Sequence, residues 1–382
     1  MSAAFEKWQS SPPPKQELRK AEFRLIESEQ GDTKLRTGVA TEASPDHPER
    51  NEDSYYVSEE RGIACVADGL GGGVGGDLAS ARATQSLTRE QLARADVAMR
   101  HVMEAGRDEP MTSQEDVEDA LKKALVHAND AVVRLHRSAE IMRLAVAKAE
   151  QKAGRTLDPK NAEDRERVTR LADSAGSTAS LSKIWRDQNG ADHITVANIG
   201  DSRIYRLRNG RLERLTKDHS IVQEIIDLRL HDTDGVPIED DQNINRRVSR
   251  DEVERVYRKS ATPAMHALLS ILQRKGWADV ALVDVSHIVL QNLGDEWSIS
   301  VFKKTYPVED GDIFLHCSDG LCDVATDAEM QAILNRFIDD PLNAAKELEQ
   351  AAAERSKQNT HERAKPDDIT ALVTKYERKK AL

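Results

Sequence analysis

The sequence predicts an α+β fold. Two observations carry that expectation. Helical stretches and antiparallel hairpin signals are mixed without the regular alternation of a doubly wound parallel sheet. The pair Asn209-Gly210 also sits between two short β-type runs, as in a tight hairpin. No internal repeat is visible. At 382 residues the chain could form two or three units of roughly 150 residues, or one large β-rich domain with insertions. Its 38% hydrophobic residues are enough for a sizeable core. Lys and Arg number 55 against 67 Asp and Glu, a net charge of −12, which argues against nucleic acid as a partner because phosphate neutralisation needs surplus cations.

The opening residues are charged and broken by Pro12-Pro13-Pro14, with no apolar core of the secretory kind, and nowhere do about eighteen apolar residues run together. No membrane partner is therefore expected, and the expected location is cytoplasmic. Cys65, Cys317 and Cys322 cannot build a disulfide framework and form no C-x-x-C pair.

Taken in order, residues 1–34 read as an N-terminal extension, with a short helix expected over 15–29. Residues 61–66 form a buried strand that runs out to Asp68, and 77–95 look helical. A longer helix starts near Thr112, with Glu115 completing a capping box, and Val117, Leu121, Ala124, Leu125, Ala128, Val132 and Leu135 make one apolar stripe. The charged stretch 141–173 has no strand signal and reads as an inserted helical or mobile arm. Strands follow at 194–199, 203–208 and 211–215, the last two joined by Asn209-Gly210. Residues 220–286 are weakly patterned apart from an apolar helical piece at 265–272. A strand at 313–316 leads into Ser318-Asp319-Gly320, helices are expected over 328–337 and 342–355, and the last strand, 369–374, follows Pro366-Asp367-Asp368.

Gly71, Gly73 and Gly76 fit G-x-G-x-x-G between a strand and a helix, the dinucleotide-binding context, with a plain structural turn as the alternative. Asp68 just before the glycines would repel a pyrophosphate, and no second parallel strand follows the helix. The aspartates point elsewhere. Asp53 precedes a strand, Asp68 and Asp319 end strands beside Gly69 and Gly320, and Asp367 begins the last one. Singly, each reads as a solvated cap. If the strand tips converge, the carboxylates raise one another's pKa, and a divalent cation relieves the conflict. An all-oxygen ligand set selects Mg²⁺ or Mn²⁺. Two such ions about 3.5–4 Å apart can activate water for displacement at phosphorus, with no Ser, Cys or His nucleophile.

At these residues the chain resembles the metal-dependent protein phosphatases of the protein phosphatase 2C (PPM) type. The matching stretches are Arg50-Asn51-Glu52-Asp53, Val66-Ala67-Asp68-Gly69-Leu70-Gly71-Gly72, Gly176-Ser177-Thr178 and Ala197-Asn198-Ile199-Gly200-Asp201-Ser202-Arg203. Then come Leu215-Thr216-Lys217-Asp218-His219-Ser220, Ser318-Asp319-Gly320-Leu321-Cys322-Asp323 and Asp367-Asp368-Ile369-Thr370, all in the family's order.

The resemblance implies a catalytic domain over 35–378, built as two packed antiparallel sheets with helices on both outer faces, a helical insertion near 136–175 and an enlarged flap near 220–295. It implies a bacterial-like serine/threonine phosphatase acting through two Mn²⁺ or Mg²⁺ ions on phosphorylated protein, opposite a cognate kinase. Asp68 would bridge the ions, with the Gly69 carbonyl on one and Asp319 and Asp367 on the other. Asp53 would hold a coordinated water, and Asp201 and Asp323 match positions for a third, weaker ion.

The chain also departs from the pattern. The family's phosphate-gripping arginine falls at Pro48, with Arg50 as the nearby substitute, and Leu70 stands where many members have histidine or methionine. Pro48 and the long insertions motivate a rival reading, a pseudophosphatase that serves as a binding or scaffold module. His219, Cys317, Cys322 and the scattered tryptophans are expected to pack rather than catalyse.

Overall fold

The computed structural model describes residues 21–71, 73–92, 97–107, 109–111, 113–295, 299–357 and 363–379. In chain order the elements are β1 (Glu22–Gln30), β2 (Thr33–Glu42), β3 (Asp53–Ser58), β4 (Ile63–Asp68), α1 (Gly76–Gln85), α2 (Arg89–Leu92), α3 (Val97–Glu104) and β5 (Pro110–Met111). Next come α4 (Gln114–Leu135), α5 (Ala139–Ala153), α6 (Ala162–Ala172), β6 (Ala179–Asp187), β7 (Asp192–Ile199), β8 (Arg203–Arg208), β9 (Arg211–Arg214) and α7 (Ile221–Asp227). The chain continues with β10 (Arg247–Ser249), α8 (Arg250–Tyr257), α9 (Pro263–Lys275), β11 (Asp279–Ala281), β12 (Phe302–Pro307) and β13 (Ile313–Cys317). It closes with α10 (Asp319–Cys322), α11 (Asp327–Arg336), α12 (Pro341–Ser356) and β14 (Ile369–Arg378).

One sheet has the order β1-β2-β14-β13-β8-β9 and the other β12-β7-β6-β4-β3, with antiparallel neighbours throughout. The two-residue β5 adds a parallel pairing to β6. Side chains alternate across a strand, and both faces of the central strands are covered. On β4, Ile63, Cys65 and Ala67 face the helices α1, α3 and α4, while Ala64 and Val66 face Val39 and Leu372 of the other sheet. On β14, Ile369, Ala371 and Val373 pack under α11 and α12. Leu35, Ile194, Val196, Ile204, Phe314 and Tyr376 fill the space between the sheets. The result is the expected α+β arrangement, two antiparallel sheets between two helical layers. The hairpin turn also forms as its residues require, with Asn209 at φ 50° and Gly210 at φ 76°.

The expected helix over 15–29 is a correction. Its residues 15–20 lie outside the described ones, and the rest form β1. Gly31 at φ 53° turns the chain back so that Glu22–Gln30 pairs residue for residue with β2. The sheet therefore starts at Glu22, inside the segment read as an extension. Thr112 lies outside the described residues; the helix α4 is capped by Ser113, whose hydroxyl accepts from Asp116 N at 3.1 Å.

Two additions to the sandwich have small cores of their own. Helices α5 and α6 pack Ile141, Ala145, Ala149, Val168 and Ala172 onto Val74, beside the glycine loop. Helices α7 to α9, with the β10–β11 pair, bury Ile225, Val248, Val253, Leu268 and Val280 together. Among the described residues no helix is long and apolar enough to cross a membrane.

Candidate metal centre

Antiparallel pairing of β3 with β4 sets Asp53 directly opposite Asp68. Beyond Asp68 the chain is held on both sides. Gly69 N donates to Glu52 O at 3.0 Å, Leu70 N to Gly176 O at 2.9 Å, and Thr178 N to Asp68 O at 2.8 Å. A Cβ on Gly69 would lie 2.3 Å from the Gly76 carbonyl, so only glycine permits this approach.

The other sheet contributes through β13 and β14. Ser318 joins the two sheets: its Oγ donates to Asp53 Oδ2 at 2.6 Å and accepts from Thr370 N at 3.0 Å. Gly320 allows α10 to start against β14, since a Cβ there would lie 2.0 Å from Asp368 O.

The tips converge. Asp68 and Asp319 are within hydrogen-bonding reach of each other, and Asp53 and Asp367 act on Asp68 through their charge. Asp201, at the turn from β7 to β8, faces Asp319 and Asp323 electrostatically. Burial first, and neighbouring carboxylates second, push Asp53, Asp68 and Asp201 well above the ordinary carboxyl range. Burial and then Asp319 raise Asp367 to about 6. Asp53 Oδ1 and Asp319 Oδ1 are buried without a hydrogen-bond partner. Buried oxygens that lack donors, in an all-oxygen cluster, suit a hard divalent cation, so the residues present fit Mn²⁺ or Mg²⁺.

One cation already stands among them. The Lys365 ammonium pairs with Asp319, lies 3.0 Å from Asp367 Oδ2 and 3.5 Å from Asp323 Oδ2. For Asp319 burial favours the neutral form, but Lys365 outweighs it and holds this carboxyl below its usual value. The sequence reading missed Lys365, although it stands two residues before Asp367. It also missed Ser318 as a bridge between the sheets.

The described His, Cys, Asp and Glu side chains that approach closely enough as a threesome to share an ion are His47, Glu52 and Asp368, within 4.8 Å of one another. Their atoms are engaged already. Asp368 accepts from Ser44 N at 2.7 Å and Glu52 N at 2.8 Å, and His47 Nδ1 lies 2.9 Å from Arg50 O. This cluster fixes the turn that leads into Asp53. Arg50, the substitute phosphate ligand, pairs with Glu52 at 2.9 Å, and its Nε is buried without a partner. Lys148 of α5 donates to Gly73 O of the glycine loop and feels the charges of both Arg50 and Glu52.

His219 Nδ1 accepts from Gly200 N at 3.2 Å, all three cysteines are buried and free, and Trp8 and Trp297 lie outside the described residues. Alongside the carboxylates lies a cavity of about 340 Å³, walled by Asp201, Asp323 and Lys365 on one side and by Val222, Leu282 and Ser286 of the flap on the other.

A family model of protein phosphatase 2C matches residues 94–251. The serine/threonine phosphatase stp of Listeria innocua is 24% identical over 289 residues, 75% of this chain and 77% of that protein. Over residues 94–251 the chain is similar to the protein phosphatase 2C family. Among solved structures, the serine/threonine phosphatase PstP/Ppp of Mycobacterium tuberculosis shares the fold with a TM-score of 0.51 at 21% identity, over 90% of this chain and 99% of that one. Stp1 of Staphylococcus aureus does so with a TM-score of 0.50 at 18% identity, over 89% and 94%. The family match includes Asp201 and the Gly176-Ser177-Thr178 stretch, while Asp53, Asp68, Asp319 and Asp367 lie outside it.

Proposed function

We propose that this phosphatase hydrolyses phosphoserine and phosphothreonine in proteins by direct attack of water on phosphorus, with a pair of Mn²⁺ or Mg²⁺ ions at the strand tips. The observation that carries this reading is the crowding of Asp53, Asp68, Asp201, Asp319, Asp323 and Asp367 around a single lysine, with two carboxylate oxygens left unpartnered. Asp68, the Gly69 carbonyl, Asp319 and Asp367 would hold the pair, and Asp201 with Asp323 a weaker third ion. When bound, such ions act as Lewis acids and bring the pKa of a coordinated water towards neutrality.

The chain supplies the remainder. Asp53, locked by the Ser318 hydroxyl, orients the attacking water. Arg50, whose guanidinium now pairs with Glu52, would grip phosphate in place of the arginine absent at Pro48. The flap cavity accepts substrate residues beside the phosphorylated one. A serine/threonine kinase must supply such a substrate, because that linkage arises by phosphoryl transfer.

The purified protein should hydrolyse p-nitrophenyl phosphate and phosphothreonine peptides with Mn²⁺ and not in EDTA. Asp68→Asn and Asp319→Asn should each lower the rate at least about 10³-fold, roughly 4 kcal/mol of lost transition-state stabilisation. Turnover close to wild type in either variant sinks the assignment. The scaffold reading has one observation in its favour: Lys365 already neutralises part of the cluster. Calorimetry that detects no Mn²⁺ binding to the wild-type chain would favour it.

A further inference from the structure

Lys365 is placed as a bound cation would be. Its Nζ touches Asp319, Asp323 and Asp367, which come from both ends of α10 and from the start of β14. Pro366 separates it from Asp367, and Arg363 anchors the same segment by donating to the Asp323 carbonyl at 3.0 Å. The lysine side chain is 28% exposed, so its stem reaches in from the cavity wall and has open space behind it. An ion held by Asp319 and Asp367 would take the place this ammonium holds between them.

We propose that Lys365 is a tethered competitor for the divalent cation. It holds the outer carboxylates together while no ion is bound, and it must swing into the cavity before one enters. This rests on the metal-dependent reading above. The exchange is a replacement of charge: one ammonium leaves and one divalent ion arrives, with no bond made or broken. A chain whose ion-ready form is a minor population binds its ion more weakly by that fraction. Lys365 thereby sets the Mn²⁺ concentration at which the phosphatase switches on, without itself touching phosphate.

The test uses Lys365→Met, which keeps the length of the stem and removes the charge, and Lys365→Arg, which keeps the charge. Mn²⁺ binding is followed by calorimetry, and melting in EDTA by circular dichroism. Lys365→Met should melt several degrees below wild type in EDTA, because Asp319, Asp323 and Asp367 lose their shared counter-charge. It should bind Mn²⁺ roughly tenfold more tightly, and Lys365→Arg should stay near wild type in both respects. The gain in affinity should persist at about 0.5 M KCl, where a charge acting only at a distance is screened. If wild type binds Mn²⁺ but Lys365→Met binds it no more tightly, or gains only at low salt, the competitor role is wrong and the metal centre stands. If no form binds Mn²⁺, the metal centre itself is wrong, and the competitor role falls with it.

Discussion

Two buried charge clusters face the same cavity and are built to opposite rules. On one side Arg203 pairs with Asp218 at 2.7 Å and Asp241 at 2.6 Å, and Arg214 reaches the same two carboxylates at 3.5 and 3.2 Å. Two cations meet two anions. Burial alone would favour the neutral form of Asp241, yet Arg203 and Arg214 hold its carboxyl far below the usual range. On the other side the aspartates at the strand tips outnumber Lys365, and burial with mutual repulsion pushes Asp53, Asp68 and Asp201 the other way. The balanced cluster braces β8 and β9 against the start of the flap. The unbalanced one is held in an unfavourable state that an added cation would relieve, and that asymmetry is why the metal site is proposed there.

Removing a charge should therefore have opposite consequences in the two places. Asp218→Ala leaves Arg203, a side chain only 7% exposed, short of a partner, and should cost about 3 kcal/mol, towards the low end for a broken buried pair because Asp241 remains. Urea denaturation monitored by circular dichroism measures this. Mn²⁺ should stabilise wild type by a comparable amount, about 2.7 kcal/mol at a hundred times its dissociation constant, and should do nothing for Asp68→Asn. In EDTA, Asp68→Asn should melt above wild type, by on the order of 1 kcal/mol, since it relieves crowding. A melting temperature lowered by Asp68→Asn in EDTA would show that the strand-tip cluster is structural after all.

These contrasts also show what a chain can tell in advance. Strand tips were readable because Gly69 and Gly320 sit beside Asp68 and Asp319, and small residues next to acidic ones at the ends of apolar runs imply close backbone approach. The hairpin at Asn209-Gly210 was readable because two positive φ values demand such residues. Lys365 was not, because nothing local distinguishes it from other lysines; its role depends on how the segment before β14 passes α10. Strand β1 was missed for a related reason. Phe23 and Leu25 are 46% and 47% exposed, so Glu22–Gln30 carries no buried stripe and takes its conformation from pairing with β2. Ser318 looks like an ordinary turn serine until Asp53 is brought to it from 265 residues away.

Imbalance by itself is not enough to mark a site, and Glu349 shows the limit. It lies buried on α12 within hydrogen-bonding reach of Glu42 on β2, and burial first and Glu42 second raise its carboxyl to about 8. Burial and the neighbouring Glu42 favour the protonated form of Glu349, which would settle the conflict without an ion. The folded chain keeps a proton that an unfolded glutamate gives up near 4.5, so this pair's contribution is whole below that pH, declines as the pH rises towards 8, and is level beyond. Glu349→Gln removes the titration and keeps the shape. It should match wild type at pH 4.5 and exceed it at pH 8.5 by somewhat under about 1 kcal/mol, since the partly exposed Glu42 can turn towards water. The comparison should look the same in EDTA and in Mn²⁺. A pH 8.5 advantage that appeared only in EDTA would mean the pair communicates with the strand-tip cluster, and the separation drawn between proton-settled and ion-settled acidity would not hold.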